Sequence, residues 1–101
     1  MEDQFMSIHT VGVVGAGVMG VGVAQNLAQQ GYRVLLLDIS TGHLQRARQE
    51  IHNNIRLAQL LNRSEKREPV DTLIERIVFT TCYAPFADAD FVIENATEKW
   101  E

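Results

Sequence analysis

Apolar residues in this chain fall into two patterns, unbroken short runs and helical repeats, and they take turns along it. Residues 8–14 form a β-branched, largely apolar run, which reads as a buried strand. Its apolar residues do not alternate cleanly with polar ones, so it should be central and covered on both faces. Similar runs follow at residues 33–37, 77–81 and 91–94. Between the first two, residues 18–30 repeat apolar positions at helical spacing, with Val18, Val21, Ala24, Leu27 and Ala28 on one face. Gly22 reads as a close-packing position on that helix, and Gly31 as its stop. Ser40 or Thr41 can cap a longer helix reaching about residue 61, whose stripe is Leu44, Ala47, Ile51, Ile55 and Ala58. Arg46, Arg48, Glu50 and Asn53 occupy its other face. Residues 62–69 form a polar turn, residues 70–75 suit a short return helix, and residues 85–89 allow at most one helical turn. Residues 1–6 read as a loose lead-in.

The break after the first strand is Gly15-Ala16-Gly17-Val18-Met19-Gly20, a full G-x-G-x-x-G. Glycines also mark ordinary turns, but strand, glycine turn and helix in that order is the context the motif requires. Gly15 lets the chain turn off the strand. Gly17, without a Cβ, lets a pyrophosphate approach the backbone, so Gly17→Val should abolish binding. Gly20 lets the helix pack close to the strand. The N–H groups of the first helical turn then face the phosphates. The second strand ends in Asp38, about 20 residues on, where this fold places the group that binds the adenosine ribose. Its carboxylate can accept from the ribose hydroxyls and would repel a 2′-phosphate, and Ile39 and Ser40 bring no arginine to receive one. NAD is therefore favoured over NADP. Asp38 as a mere cap of the next turn is the other reading. The fold class is α/β, a Rossmann-like doubly wound parallel sheet, truncated, with a helical insertion between strands 2 and 3.

At 101 residues the chain holds one domain at most. It is 46% hydrophobic and 22% charged, as a globular protein is. A complete dinucleotide-binding domain usually takes about 150 residues. Residues 1–101 therefore read as the N-terminal part of one, with a sheet edge left open that favours self-association. Net charge is −4, with no basic stripe for nucleic acid. No apolar span is long enough for a membrane, and Met-Glu-Asp-Gln is acidic where a secretory leader is basic. Cys82, the sole cysteine, has no partner for a disulfide or a metal site, which suits the cytoplasm.

The run from Val13 to Gln25, with Met19 before the last glycine and Gly22-Val23-Ala24-Gln25 on the helix, resembles the N-terminus of the 3-hydroxyacyl-CoA dehydrogenases. Leu36-Leu37-Asp38 matches the family's second strand, and the long helical insertion is typical of it. Asp90-Phe91-Val92-Ile93-Glu94-Asn95-Ala96-Thr97-Glu98 is similar to its D-x-V-x-E-x-x-x-E segment. The resemblance implies that residues Gly15, Ala16, Gly17, Val18, Met19 and Gly20 hold the pyrophosphate of NAD, with Met19 near the nicotinamide side. Asp38 would bind the adenosine ribose, and Ala96, Thr97 and Glu98 would line the nicotinamide ribose. Glu98 can equally be a carboxylate favoured at a helix N-terminus, and Glu94 can hold a loop. The implied reaction is oxidation of a 3-hydroxyacyl thioester to the 3-ketoacyl form, or its reverse, in fatty acid metabolism. The family's catalytic pair, a histidine polarised by a glutamate, would lie beyond residue 101, as would its helical C-terminal domain. His9, His43 and His52 do not match that histidine; the latter two read as surface residues. The family's serine and lysine contacts to CoA fall near Asn54 and Leu61, with Arg56 and Arg63 close by, so an acyl carrier protein is a live substitute for CoA. Another NAD- or FAD-dependent enzyme on this fold, and a binding-only NAD(H) sensor, remain as alternatives.

Overall fold

The computed structural model describes residues 9–61 and 68–94. Four strands make one parallel sheet. β1 (Thr10–Val14) and β2 (Arg33–Leu37) pair along their whole length, Thr10 opposite Arg33 and Val14 opposite Leu37. β3 (Ile77–Thr80) adds to the far side of β2, and β4 (Phe91–Glu94) to the far side of β1, giving the order β3-β2-β1-β4. The winding runs outward from β1 to β3, then returns to the other side of β1. Ligands of open α/β sheets bind at such a reversal, beyond the carboxyl ends of the strands.

The unbroken apolar runs cover both faces of the sheet. Val11 and Val13 of β1, Val34 and Leu36 of β2 and Ile77 of β3 join one buried cluster with helix residues Ala24, Ala28, Ile51 and Ile55. The alternate residues Leu35 and Leu37 are buried as well. Side chains alternate across a strand, so these face the opposite side. On that side the connection from β3 to β4 forms a 3-10 turn, Ala84–Asp88, which lays Phe86 directly on Gly12. A Cβ at Gly12 would stand 2.6 Å from the Phe86 ring, so this backbone approach requires glycine. Asp90 closes the connection: its carboxylate accepts from the N–H groups of His9 and Thr10 at 2.9 and 3.0 Å.

Three helices pack on the first face: α1 (Val18–Gln29), α2 (Thr41–Leu61) and α3 (Val70–Glu75). α1 stops at Gly31, whose φ of 105° is left-handed. The Tyr32 N–H donates to the Leu27 carbonyl and that of Gly31 to Ala28, closing the last turn. Ser40, rather than Thr41, caps α2: its Oγ accepts from the His43 N–H at 3.1 Å. The Arg76 guanidinium ties α1 to the start of β3, donating to the Ala28 carbonyl at 2.7 Å and to both oxygens of Glu68.

Three packing expectations fail. Val18 is 88% exposed. It sits in the first turn of α1, beyond the end of β1, so helical periodicity places it on the correct face with no strand beneath. Gly22 is exposed, and a Cβ there would meet nothing within 4 Å, so it is no close-packing position. Ala58 is also exposed, with Leu57, Leu60 and Leu61, because the last turns of α2 run past the elements that cover Leu44, Ala47, Ile51 and Ile55.

Candidate dinucleotide site

An open cleft of about 890 Å³ lies at the carboxyl ends of the strands. The glycine loop and first turn of α1, residues 15–20, form its floor. Val14, Leu37 and Glu94, the last residues of β1, β2 and β4, stand behind it. Asp38, Ile39 and His43 bound it at one end, and Tyr83 reaches in from the β3–β4 connection.

Local chemistry shapes the loop. Gly15 turns the chain with φ 101°, a conformation costly for any residue with a side chain. Its N–H donates to the Leu37 carbonyl at 2.7 Å, and the Ala16 N–H donates to Asp38 Oδ2 at 2.9 Å. Both consecutive donors are thus fastened to the neighbouring strand end. Gly17 is the N-cap of α1, in extended conformation (φ −81°), and no side chain caps the helix. The first intrahelical bond runs from the Val21 N–H to the Gly17 carbonyl. A helix that starts this way leaves the N–H groups of Val18, Met19 and Gly20 without intrahelical acceptors. A Cβ at Gly17 would meet nothing within 4 Å. Those donors therefore look onto open space, which is the cradle an anion needs.

Asp38 is three things at once. Oδ2 fastens the loop through Ala16. Oδ1 accepts from the Ser40 N–H at 2.9 Å and lies 3.3 Å from His43 Nδ1. The turn-capping reading of Asp38 therefore describes its contacts correctly, and it coexists with a place on the cleft wall. Burial pushes its carboxyl up, but the N–H bonds from Ala16 and Ser40, with His43 beside it, together hold it below the usual carboxylate range. An ionised carboxylate offers about four lone-pair positions, so three neighbours leave room for a ribose hydroxyl.

Val18 and Met19 are 88% and 66% exposed on the cleft side of the loop. Ala96, Thr97 and Glu98 lie outside the described residues, as does Arg63. Asn54 donates to the Gln25 side chain at 3.2 Å, and Leu61 is exposed. His52, expected at the surface, is half-buried. His43 is exposed as expected, but at the edge of the cleft, and sequence reasoning gave it no role there. The signal was present: His43 is the third helical residue after the Ser40 cap, five beyond Asp38. Tyr83 was missed too; its ring meets Phe86 edge-on at 5.7 Å, in a connection that carries no motif.

Residues 10–101 match the model of the 3-hydroxyacyl-CoA dehydrogenase NAD-binding domain. The chain belongs to this family. It is 38% identical over 99 residues to the 3-hydroxyadipyl-CoA dehydrogenase of Escherichia coli K12, covering 97% of this chain and 20% of that one. It is 39% identical over 95 residues to the 3-hydroxybutyryl-CoA dehydrogenase of Bradyrhizobium diazoefficiens, covering 93% and 32%. Among solved structures, (S)-3-hydroxybutyryl-CoA dehydrogenase PaaH1 from Ralstonia eutropha superposes with a TM-score of 0.83 at 34% identity, over 93% of this chain and 33% of that one. The chain thus spans about a fifth to a third of the length of these relatives. Within a 3-hydroxyacyl-CoA dehydrogenase, the strand order and the glycine loop found here belong to the NAD-binding domain, and NAD is the cofactor of that domain.

Proposed function

We propose that this chain holds the NAD(H) of an enzyme that interconverts 3-hydroxyacyl-CoA and 3-ketoacyl-CoA. The observation that carries the reading is the empty space at Gly17, faced by the unpaired N–H groups of Val18, Met19 and Gly20. The pyrophosphate lies there. Gly15, Ala16 and Gly20 shape the loop, and the free lone pairs of Asp38 take the adenosine ribose hydroxyls. The exposed Val18 and Met19 shield the nicotinamide half from water. Ala96, Thr97 and Glu98 follow β4, whose last residue Glu94 pairs with Val14 beside the loop; that register supports a role at the nicotinamide ribose. Bound NAD supplies the hydride acceptor, and this chain's residues supply position and electrostatics.

The resemblance to the family implies that a catalytic histidine and glutamate and a helical substrate domain are supplied from outside residues 1–101, and the open sheet edge supports self-association. The CoA thioester follows the substrates named in the relatives. Arg56, exposed on α2, and Arg63 are the cations nearest the family's CoA contacts, available for its phosphates or for an acyl carrier protein in its place. The free, exposed Cys82 suits the reducing cytoplasm. Among the described residues no helix is long and apolar enough to cross a membrane.

The test is a titration with NADH and NADPH in parallel, followed by nicotinamide fluorescence. Saturable binding of NADH, with much weaker binding of NADPH, is the expected result. A folded sample that binds neither refutes the assignment of the cradle. Glu98→Gln should weaken NADH binding without changing stability; wild-type affinity in that variant returns Glu98 to a helix-terminal role.

A further inference from the structure

We propose that His43 makes the cofactor choice of this site depend on pH, admitting a 2′-phosphorylated adenosine ribose as the imidazole gains its proton. The inference rests on the placement of the adenosine ribose at Asp38. It starts from charge: among the described residues lining the cleft there is no lysine or arginine. Among those described residues, His43 is the one lining side chain that can become a cation. Its Nδ1 stands 3.3 Å from Asp38 Oδ1, at the end of the cleft to which the proposed function assigns the adenosine ribose.

The two protonation states do opposite things. In the neutral ring, Nδ1–H donates to the Asp38 carboxylate and Nε2 keeps a lone pair. A ribose hydroxyl can donate to such an acceptor. A phosphate dianion has no proton to give and meets only Asp38 and a lone pair. In the protonated ring both nitrogens donate, and the cation offsets the Asp38 charge that repels the phosphate. An imidazole ordinarily makes this change between pH 8 and 5.

The charged and titratable groups around the ring are Asp38, on the turn that leads into α2, Arg46, one turn further along the same helix, and Glu94 and Tyr83, which share the cleft from β4 and the β3–β4 connection. Asp38, held below the usual carboxylate range, stays ionised throughout, so the ring is the group that switches.

The experiment measures dissociation constants for NADH and NADPH at pH 8.0 and 5.5. It uses the wild-type protein, His43→Gln and His43→Lys. The readout is the ratio Kd(NADPH)/Kd(NADH). In the wild type it should fall about tenfold on acidification, the size of effect an opposite charge at contact distance produces. In His43→Gln it should fall clearly less than in the wild type, by only the part owed to the 2′-phosphate's own titration. In His43→Lys it should be low at both values. A wild-type ratio that does not change with pH overturns the proposal. So does an equal change in His43→Gln, which assigns the effect to the phosphate's own titration. Failure of NADH itself to bind at either pH refutes the ribose placement, and the role of His43 falls with it.

Discussion

Replacing Gly17 by aspartate should separate stability from binding, moving them in opposite directions. Gly17 is the N-cap of α1 in an extended conformation that any residue adopts, and no side chain now caps the helix. Aspartate is among the best residues for that position, accepting from the first-turn N–H groups and favoured by the helix dipole. The added Cβ meets nothing within 4 Å. The free protein should therefore gain a few tenths to about 1 kcal/mol. For a domain of this size that is a rise in Tm of a few degrees. Binding should collapse. The new carboxylate occupies the N–H groups that would hold the pyrophosphate, removing two charge-assisted hydrogen bonds at about 1.5–3 kcal/mol each. Its charge near 4 Å from a phosphate adds about 4 kcal/mol of repulsion at an effective dielectric of ~20. The sum exceeds a 10³-fold loss of NADH affinity. Thermal unfolding and a fluorescence titration of the same sample measure both. An affinity within tenfold of wild type would show that no pyrophosphate lies over Gly17. A fall in Tm would show that the space is not free.

Gly15→Ala should do the reverse in its first effect, costing about 1–2 kcal/mol of stability, because φ of 101° is strained for alanine; denaturant unfolding reads it directly. Gly12→Ala should cost about 1–3 kcal/mol through overlap with Phe86, and clearly less when Phe86 is already leucine, so a double-mutant cycle identifies the contact. Asp38→Ala should weaken NADH binding and narrow the preference over NADPH, and unchanged affinity for both rules out the ribose role. Asp38 also has a pH signature. Its folded pKa lies below the ordinary aspartate range, so the stability it contributes is complete above that range and is lost as pH falls through the lowered value. Unfolding of Asp38→Asn should therefore show a shallower loss of stability below about pH 4 than the wild type does.

Much of this architecture is legible in the sequence because it follows from local chemistry. The run from Arg33 to Leu37 is a strand over the same residues in the sequence pattern and in the structure, since four consecutive apolar residues buried on both faces leave no other solution. The return helix from Val70 to Glu75 and the stop at Gly31 are equally local. What escapes the sequence is relative placement. Val18 carries the right period for burial, but whether a strand lies beneath it depends on where β1 ends. Gly12 reads as an ordinary strand residue, because the ring that demands it comes from Phe86, 74 positions later in the chain. His43 reads as a polar surface residue until the Ser40 cap fixes the direction of the first turn and brings the ring to Asp38.

The fastening of Gly15 and Ala16 to the end of β2 has a kinetic side. The loop already has its ligand-ready outline, cast against a neighbouring strand and not against the cofactor. A mould finished in advance adds no waiting step, so stopped-flow association with NADH should run in a single phase whose rate rises linearly with concentration. The same arrangement makes the cradle hostage to a strand that never touches the phosphates: whatever shifts the end of β2 redraws the loop, although no residue of the loop has changed.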